Sequence, residues 1–315
     1  MSGHHHHSHS NTRAFAWITL LNLGYTLIEA WYGFATNSLA LLSDAVHNFG
    51  DVLGLGLAWG ATILAQRPPK GRHTYGWRRA TLLSPLANSV LLVVFSGALG
   101  WEAIRRFNAP PTIPPVPVMV VAAIGIVVNL VAAAFVHGGH ENDLNRRGAF
   151  LHLVADAAVS LAAVLAGAGI MLFGWRWLDP VTAFLVSLVV LVSSFKLLRD
   201  SFDAAMDAAP AHLDIDEVAT FIREQPGVVA VHHLHLWSLG SNEIALTAHV
   251  TRPPGDDDHD AFIDRLNHAL DHRFGINHAT LQVEHGLECG HDCHDRAPHH
   301  GHNDDHGHDH SHSHA

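Results

Sequence analysis

Two pairs of side chains in the same spacing carry the chemistry: His47-x-x-x-Asp51 and His152-x-x-x-Asp156. Four residues is slightly more than one helical turn, so on a helix each His shares a face with its Asp. Two neutral imidazoles and two carboxylates are the donor types and number of a tetrahedral zinc site. Both pairs stand inside long apolar runs, where ionisable groups are costly and mark ion or proton pathways. One such pair would read as an interhelical polar contact; two of identical spacing on separate runs argue for shared ligation of an ion. Metal binding needs neutral His and ionised Asp, so protons and metal compete for the site. An imidazole of ordinary pKa about 6.5 titrates near neutral pH. The chemistry expected is exchange of a divalent cation for protons across a membrane.

Asp44 extends the polar stripe of the first run, three residues before His47. It is a candidate ligand, an acceptor orienting His47, or an entry-path carboxylate. Glu29, Asn48, Asn88 and Asn129 are expected to line the same path and to hydrogen-bond between helices. The imidazole at position 47 favours an ion with nitrogen affinity, such as zinc, over magnesium, calcium or manganese. Cobalt, nickel and cadmium stay in competition.

The elements that must position these groups are six apolar segments, each near the ~20 residues a spanning helix needs. They are placed at Arg13–Phe34, Leu39–Ala65, Thr81–Ile104, Pro117–His137, Gly148–Phe173 and Leu178–Leu198. The second contains Gly50-x-x-x-Gly54 and Gly56-x-x-x-Gly60, spacings that let helices approach closely. Arg67, Lys70, Arg72, Arg78 and Arg79 load the loop after the second span, and Arg146, Arg147 and Arg199 lie on the same side. By the positive-inside rule both termini are cytoplasmic. Of the 315 residues 48% are hydrophobic and 15% charged, but the apolar share is concentrated before Arg199. This divides the chain into a His-rich tail at 1–12, a six-helix membrane domain at 13–200, a cytoplasmic domain at 201–286 and a second His-rich tail at 287–315.

After Pro210 the pattern is helix, strand, strand, helix, strand, which suits an α+β sandwich. Asp214 reads as the cap of its first helix, with Glu217 three residues on. The formal charge of −11 with no basic block excludes nucleic acid as an expected partner. Cys289 and Cys293 read as metal-facing thiols in a reducing compartment rather than a disulfide framework. The opening Met-Ser-Gly-His-His-His-His lacks the features of a secretory signal, and none is expected. Nor is an enzyme: no His-Glu-x-x-His and no nucleophile elbow occurs, and no organic cofactor is expected.

Several longer stretches resemble the cation diffusion facilitators, in particular their zinc-exporting branch. The resemblance runs through Glu29, Ser38-Leu39-Ala40-Leu41-Leu42-Ser43-Asp44-Ala45-Val46-His47 and Asp51, then Tyr75-Gly76-Trp77-Arg78-Arg79 and Asn88. It continues through His152, Asp156 and Asp179-Pro180, and in the soluble part through Val231–Trp237 and Thr280–Glu284. It implies a homodimeric, proton-coupled zinc exporter with a cytoplasmic ferredoxin-like domain, and a transport site formed by His47, Asp51, His152 and Asp156. It also implies a regulatory zinc site, best matched by His232, His249 and Glu284, with His235 and His278 as further candidates. Gln282 departs from relatives that carry His there, and Cys289 and Cys293 are possible replacements. Zn2+ is thus expected as transported substrate and as regulatory ligand. The tails, with His4–His7, His9 and the run from His285 to His314, should gather zinc weakly and many ions at a time. Sixteen of the 18 basic residues are Arg, which points to a GC-rich bacterial gene and the bacterial inner membrane, with a eukaryotic organelle membrane as the alternative. The competing reading is a membrane-embedded zinc sensor that binds without transport.

Overall fold

The computed structural model describes residues 9–137, 144–254 and 258–285, with backbone alone for 9–18, 137 and 144–146. Its first part consists of six long helices: α1 (His9–Thr36), α2 (Leu39–Ala65), α3 (Ala80–Phe107), α4 (Pro115–His137), α5 (Leu144–Phe173) and α6 (Leu178–Ala205). Within α2 to α6, five stretches of 22 to 28 residues are long and apolar enough to cross a bilayer. α1 has 28 residues, which is sufficient length.

Most of these helices outrun the apolar spans read from sequence. α6 continues past Leu198 to Ala205 because a helix need not stop where hydrocarbon stops; Arg199 and Asp203, one turn apart at 3.9 Å, sit on that extension. Outward faces carry exposed apolar side chains such as Trp31, Phe34, Trp59, Trp101 and Val189. In a bilayer that surface meets its own kind of solvent, while the backbone polar groups of each helix interior are satisfied within that helix.

α3 lies along α6, α4 along α5, and α2 touches α1, α3, α5 and α6. Small residues set the approach of α2 to α3. A Cβ on Gly50 would collide with Leu92, and one on Gly54 would come 2.8 Å from the Asn88 amide nitrogen, whereas Gly56 and Gly60 face open space. Only the first of the two glycine spacings is therefore a packing seam among the described residues. The entry of α2 is tied to α6: Ser38 Oγ donates to Asp179 at 2.6 Å, and the N–H groups of Leu39 and Ala40 donate to the same carboxylate at 2.9 and 3.3 Å. A buried carboxylate thus satisfies the orphan donors of another helix's first turn.

The second part follows the expected order: α7 (Ile215–Arg223), β1 (Ala230–Gly240), β2 (Glu243–Arg252), α8 (His259–Phe274) and β3 (His278–His285). Asp214 caps α7, accepting from the Asp216 N–H at 2.9 Å. The sheet order is β1-β2-β3, with β2 and β3 parallel from Ala245↔His278 to Arg252↔His285, so α8 is the crossover between them. Gly275 ends α8 at φ 70°, the left-handed cap glycine adopts without strain. Val218 and Ile222 of α7, Leu246 and Val250 of β2, and Phe262, Leu266 and Leu270 of α8 are fully or nearly fully buried. Contacts divide the chain into two compact units: one running to Ala211 and including Leu236–Ile244, the other holding His212–His235 and the residues from Ala245 on.

Candidate metal centre

α2 and α5 each present one His and one Asp a turn apart, and the four side chains converge. His47 Nε2 lies 3.1 Å from Asp156 Oδ1 and 3.8 Å from Asp51 Oδ2. His152 Nε2 lies 3.1 Å from Asp51 Oδ2 and 3.7 Å from Asp156 Oδ2. Nitrogen and oxygen alternate around the ring, each His meeting the Asp of the other helix at the shorter distance. One ligand atom from each residue falls within a 4.8 Å group. An ion with arms of about 2.0–2.1 Å in tetrahedral array separates its ligand atoms by roughly 3.3 Å, within the spread of these four distances.

The imidazoles stand nearly perpendicular, their centroids 5.7 Å apart. Asp156 is the most enclosed of the four side chains at 5% exposure and His152 the least at 48%, so the site has an inner and an outer side. A cavity of about 640 Å³ reaches it, lined by all four together with Asn88 of α3 and the α6 face that includes Ser193 and Ser194. An aqueous ion therefore has a polar destination within an apolar wall, the usual setting of an intramembrane ion site.

Asp44 does not join the four. It is fully buried and accepts from Ser160 Oγ at 2.9 Å and more loosely from Asn48 at 3.4 Å. Asn48 also donates to Glu29 at 3.1 Å, and the Tyr25 hydroxyl donates to Glu29 at 2.8 Å. Glu29, Asp44 and Asn48 thus form a separate buried network, while Asn88 lines the cavity and Asn129 is buried but not among its lining residues. Tyr25 and Ser160 were not singled out from sequence, although Tyr25 is one turn from Glu29 and Ser160 one turn from Asp156, the signal that would have found them.

A second convergence lies on the sheet. His232 Nε2 is 3.1 Å and His249 Nδ1 2.8 Å from the Glu284 carboxylate. The angles make neither contact a good hydrogen bond, and both nitrogens are buried without such a bond. Buried nitrogens beside a carboxylate, without a hydrogen bond and within 4.8 Å of one another and of it, suit a shared ion better than a hydrogen-bonded pair. The register explains the meeting: His249 opposes Gln282, and Glu284, two residues on, shares its face. Gln282 is no void in the site, since its amide donates to Glu284 at 2.8 Å and orients it. Burial pushes the Glu284 carboxyl up, but the Gln282 hydrogen bond and the neighbouring His232 and His249 outweigh it, and the group titrates below its ordinary range.

His233, unremarked as a ligand candidate, stacks on His249 with centroids 5.0 Å apart. Its φ of 50° interrupts the alternation of β1, which period-two reading does not anticipate. His235 and His278 are exposed and stand outside the three-residue group, so they are not part of it. Cys289, Cys293 and both His-rich tails lie outside the described residues.

Comparison with known proteins gives a consistent context. The family model for the cation efflux transmembrane domain matches residues 16–204, and that for the cation efflux protein cytoplasmic domain matches residues 210–286. The zinc transporter ZitB of Escherichia coli (strain K12) is 38% identical over 300 residues, covering 92% of this chain and 95% of that protein. A cadmium, cobalt and zinc/H(+)-K(+) antiporter of Bacillus subtilis (strain 168) is 35% identical over 289 residues, 90% of this chain and 92% of that one. Among solved structures, the metal-bound C-terminal domain of the CzcD transporter from Cupriavidus metallidurans is 35% identical over 23% of this chain and 99% of its own, with a TM-score of 0.22.

Proposed function

The chain belongs to the cation efflux family of integral membrane transporters, and from that premise we propose that it exports zinc from the cytosol in exchange for protons through His47, Asp51, His152 and Asp156. The observation that carries this reading is the alternating ring of two imidazoles and two carboxylates, contributed by two helices and reached from a cavity. Relatives named as zinc transporters and as a cadmium, cobalt and zinc antiporter support both the ion and the exchange.

The chemistry follows from the ligands. Two ionised carboxylates balance a divalent charge that hydrocarbon would otherwise exclude. Without the ion, the same carboxylates gain from protons, and each imidazole takes a proton as pH falls through its range. A face of higher proton concentration thus displaces zinc, and a face of lower concentration favours its binding. Neutral imidazole in two of the four positions biases the site away from magnesium and calcium.

Both termini and the α+β domain belong on the cytosolic side, by the arginine-rich loops after α2 and α4. The membrane is the bacterial inner membrane. We take residues 13–200 as the transport domain and 201–286 as the cytoplasmic domain. There His232, His249 and Glu284 bind regulatory zinc, and two copies of the small domain pair in a homodimer. The His-rich tails at 1–12 and 287–315, with Cys289 and Cys293, feed zinc to the cytosolic mouth and leave the transport step itself unchanged.

The test is flux. The purified protein is reconstituted into vesicles, a pH gradient is imposed, and zinc is followed with a trapped fluorophore beside Asp156→Ala. Gradient-driven zinc movement in the native chain and its loss in the variant are expected. Tight zinc binding without flux in either protein would overturn the transporter reading in favour of a sensor.

A further inference from the structure

Behind the four ligands lies a second pair of carboxyl groups that the metal chemistry does not use. Glu29 of α1 and Asp44 of α2 are each 0% exposed. Glu29 takes hydrogen bonds from the Tyr25 hydroxyl at 2.8 Å and the Asn48 amide at 3.1 Å. Asp44 takes one from Ser160 Oγ at 2.9 Å and a longer one from the same Asn48 amide at 3.4 Å. The Asn48 amide is thus shared between the two carboxyls. Every other donor to them is neutral. Among the described residues, no Lys or Arg meets either group, and no hydrogen bond or ion pair joins them to His47, Asp51, His152 or Asp156.

The surroundings close the pair off. α4 contributes the Val121 carbonyl, 3.4 Å from the Tyr25 hydroxyl, and Gly125, where any Cβ would strike that hydroxyl and come 3.0 Å from Ser160 Oγ. The titratable groups that face the pair are Tyr25 from α1, His47 from α2 and Asp156 from α5. Two enclosed carboxyls that share one amide donor and meet no cation cannot both be ionised; one proton stays on the pair.

We propose that Glu29 and Asp44 form a proton-carrying site distinct from the metal ligands, which gives up its proton when a divalent cation enters the neighbouring site. The inference rests on the exchange reading above and adds to it where one of the exchanged protons resides. The step is a proton transfer alone. The O–H bond of the pair breaks, the proton passes to solvent water, and the pair passes from one negative charge to two as the adjacent ligand cluster gains two positive charges. Opposite charge nearby favours the ionised form, so zinc entry drives the proton out and zinc departure lets it return. Tyr25, Asn48 and Ser160 are positioning residues, since their hydrogen bonds hold the ionised pair once the proton has gone.

The experiment counts protons. The full-length chain in detergent, weakly buffered with a pH indicator near neutrality, is titrated with zinc chloride, and protons released per zinc bound are compared for the native protein, Glu29→Gln, Asp44→Asn and Asp156→Ala. Glu29→Gln and Asp44→Asn each retain zinc binding at the transport site and release about one proton fewer per ion. Equal release by the native protein and both variants overturns the proposal. Loss of transport-site binding in Asp156→Ala checks the ligand reading separately, so the two ideas fail in different columns. If neither carboxyl variant folds, infrared difference spectra of the native protein decide. Loss of a protonated-carboxyl C=O stretch on zinc addition is expected, and its absence overturns the proton site.

Discussion

At position 47 the choice of imidazole over carboxylate sets the character of the whole proposed ligand ring. His47 reaches Asp156 across to α5 at 3.1 Å while its own turn-mate Asp51 stands at 3.8 Å, so it bridges helices as well as offering a nitrogen. Replacing it by Asp leaves a nearly all-oxygen ring of higher negative charge, which suits harder ions. His47→Asp is expected to cut the preference for zinc over manganese by roughly tenfold or more, on the order of 1.4 kcal/mol. Competition of manganese with zinc uptake in vesicles measures it, and an unchanged preference would remove His47 from the selecting groups. The spacing in the sequence was sufficient to nominate these four residues. It could not separate them from Asp44, which lies on the same helical stripe, because a one-dimensional pattern does not say which partner helix each residue meets. Asp44 meets Ser160 and Glu29's network instead.

Among the elements, α2 carries most of the positional burden. Asp179 of α6 fastens its first turn, Gly50 and Gly54 admit α3, and its polar stripe faces α5. Close packing of helices in a bilayer rests on such small residues, because lipid is as apolar as the side chains it would replace. Gly50→Ala should lower thermal stability in detergent by about 1–3 kcal/mol, since the added methyl must displace Leu92. Gly56→Ala, with nothing within 4 Å of the new carbon, should be nearly neutral and serves as the control. Melting curves of both variants check the pair, and equal effects would dismiss the seam. The sequence displayed two glycine spacings of equal weight; only the tertiary arrangement tells which one a neighbour uses.

For the whole molecule, the proposed exchange of zinc and protons through one site would make flux a function of the gradient rather than of zinc alone. Acidifying the side opposite the zinc source protonates the imidazoles and carboxylates there and releases the ion, so inward proton movement accompanies outward zinc movement. Reversing the imposed pH gradient across reconstituted vesicles should reverse the direction of net zinc movement. Equal flux with either gradient, or with none, would exclude proton coupling. The α+β unit gathers a second His and Glu cluster on the sheet, where His249 and Glu284 meet through the parallel register of β2 and β3. That register depends on α8 returning the chain to the sheet, a long-range event beyond the reach of local pattern.

The sequence by itself determined what is local or compositional: the long apolar helices, the α-β-β-α-β order after Pro210, the cap at Asp214, and the two His-Asp pairs. Each follows from hydrophobic periodicity, charge cost in hydrocarbon, or a turn of helix. The tertiary structure decided what depends on partners. It gathered the four His and Asp side chains into an alternating ring, withdrew Asp44 to a buried network with Asn48 and Glu29, and assigned Asp179 to the start of another helix. It also left His235 and His278 outside the sheet cluster and brought His233 against His249. Residues far apart in the chain meet only when helices pack and strands take register, and spacing along one element carries no record of the face opposite.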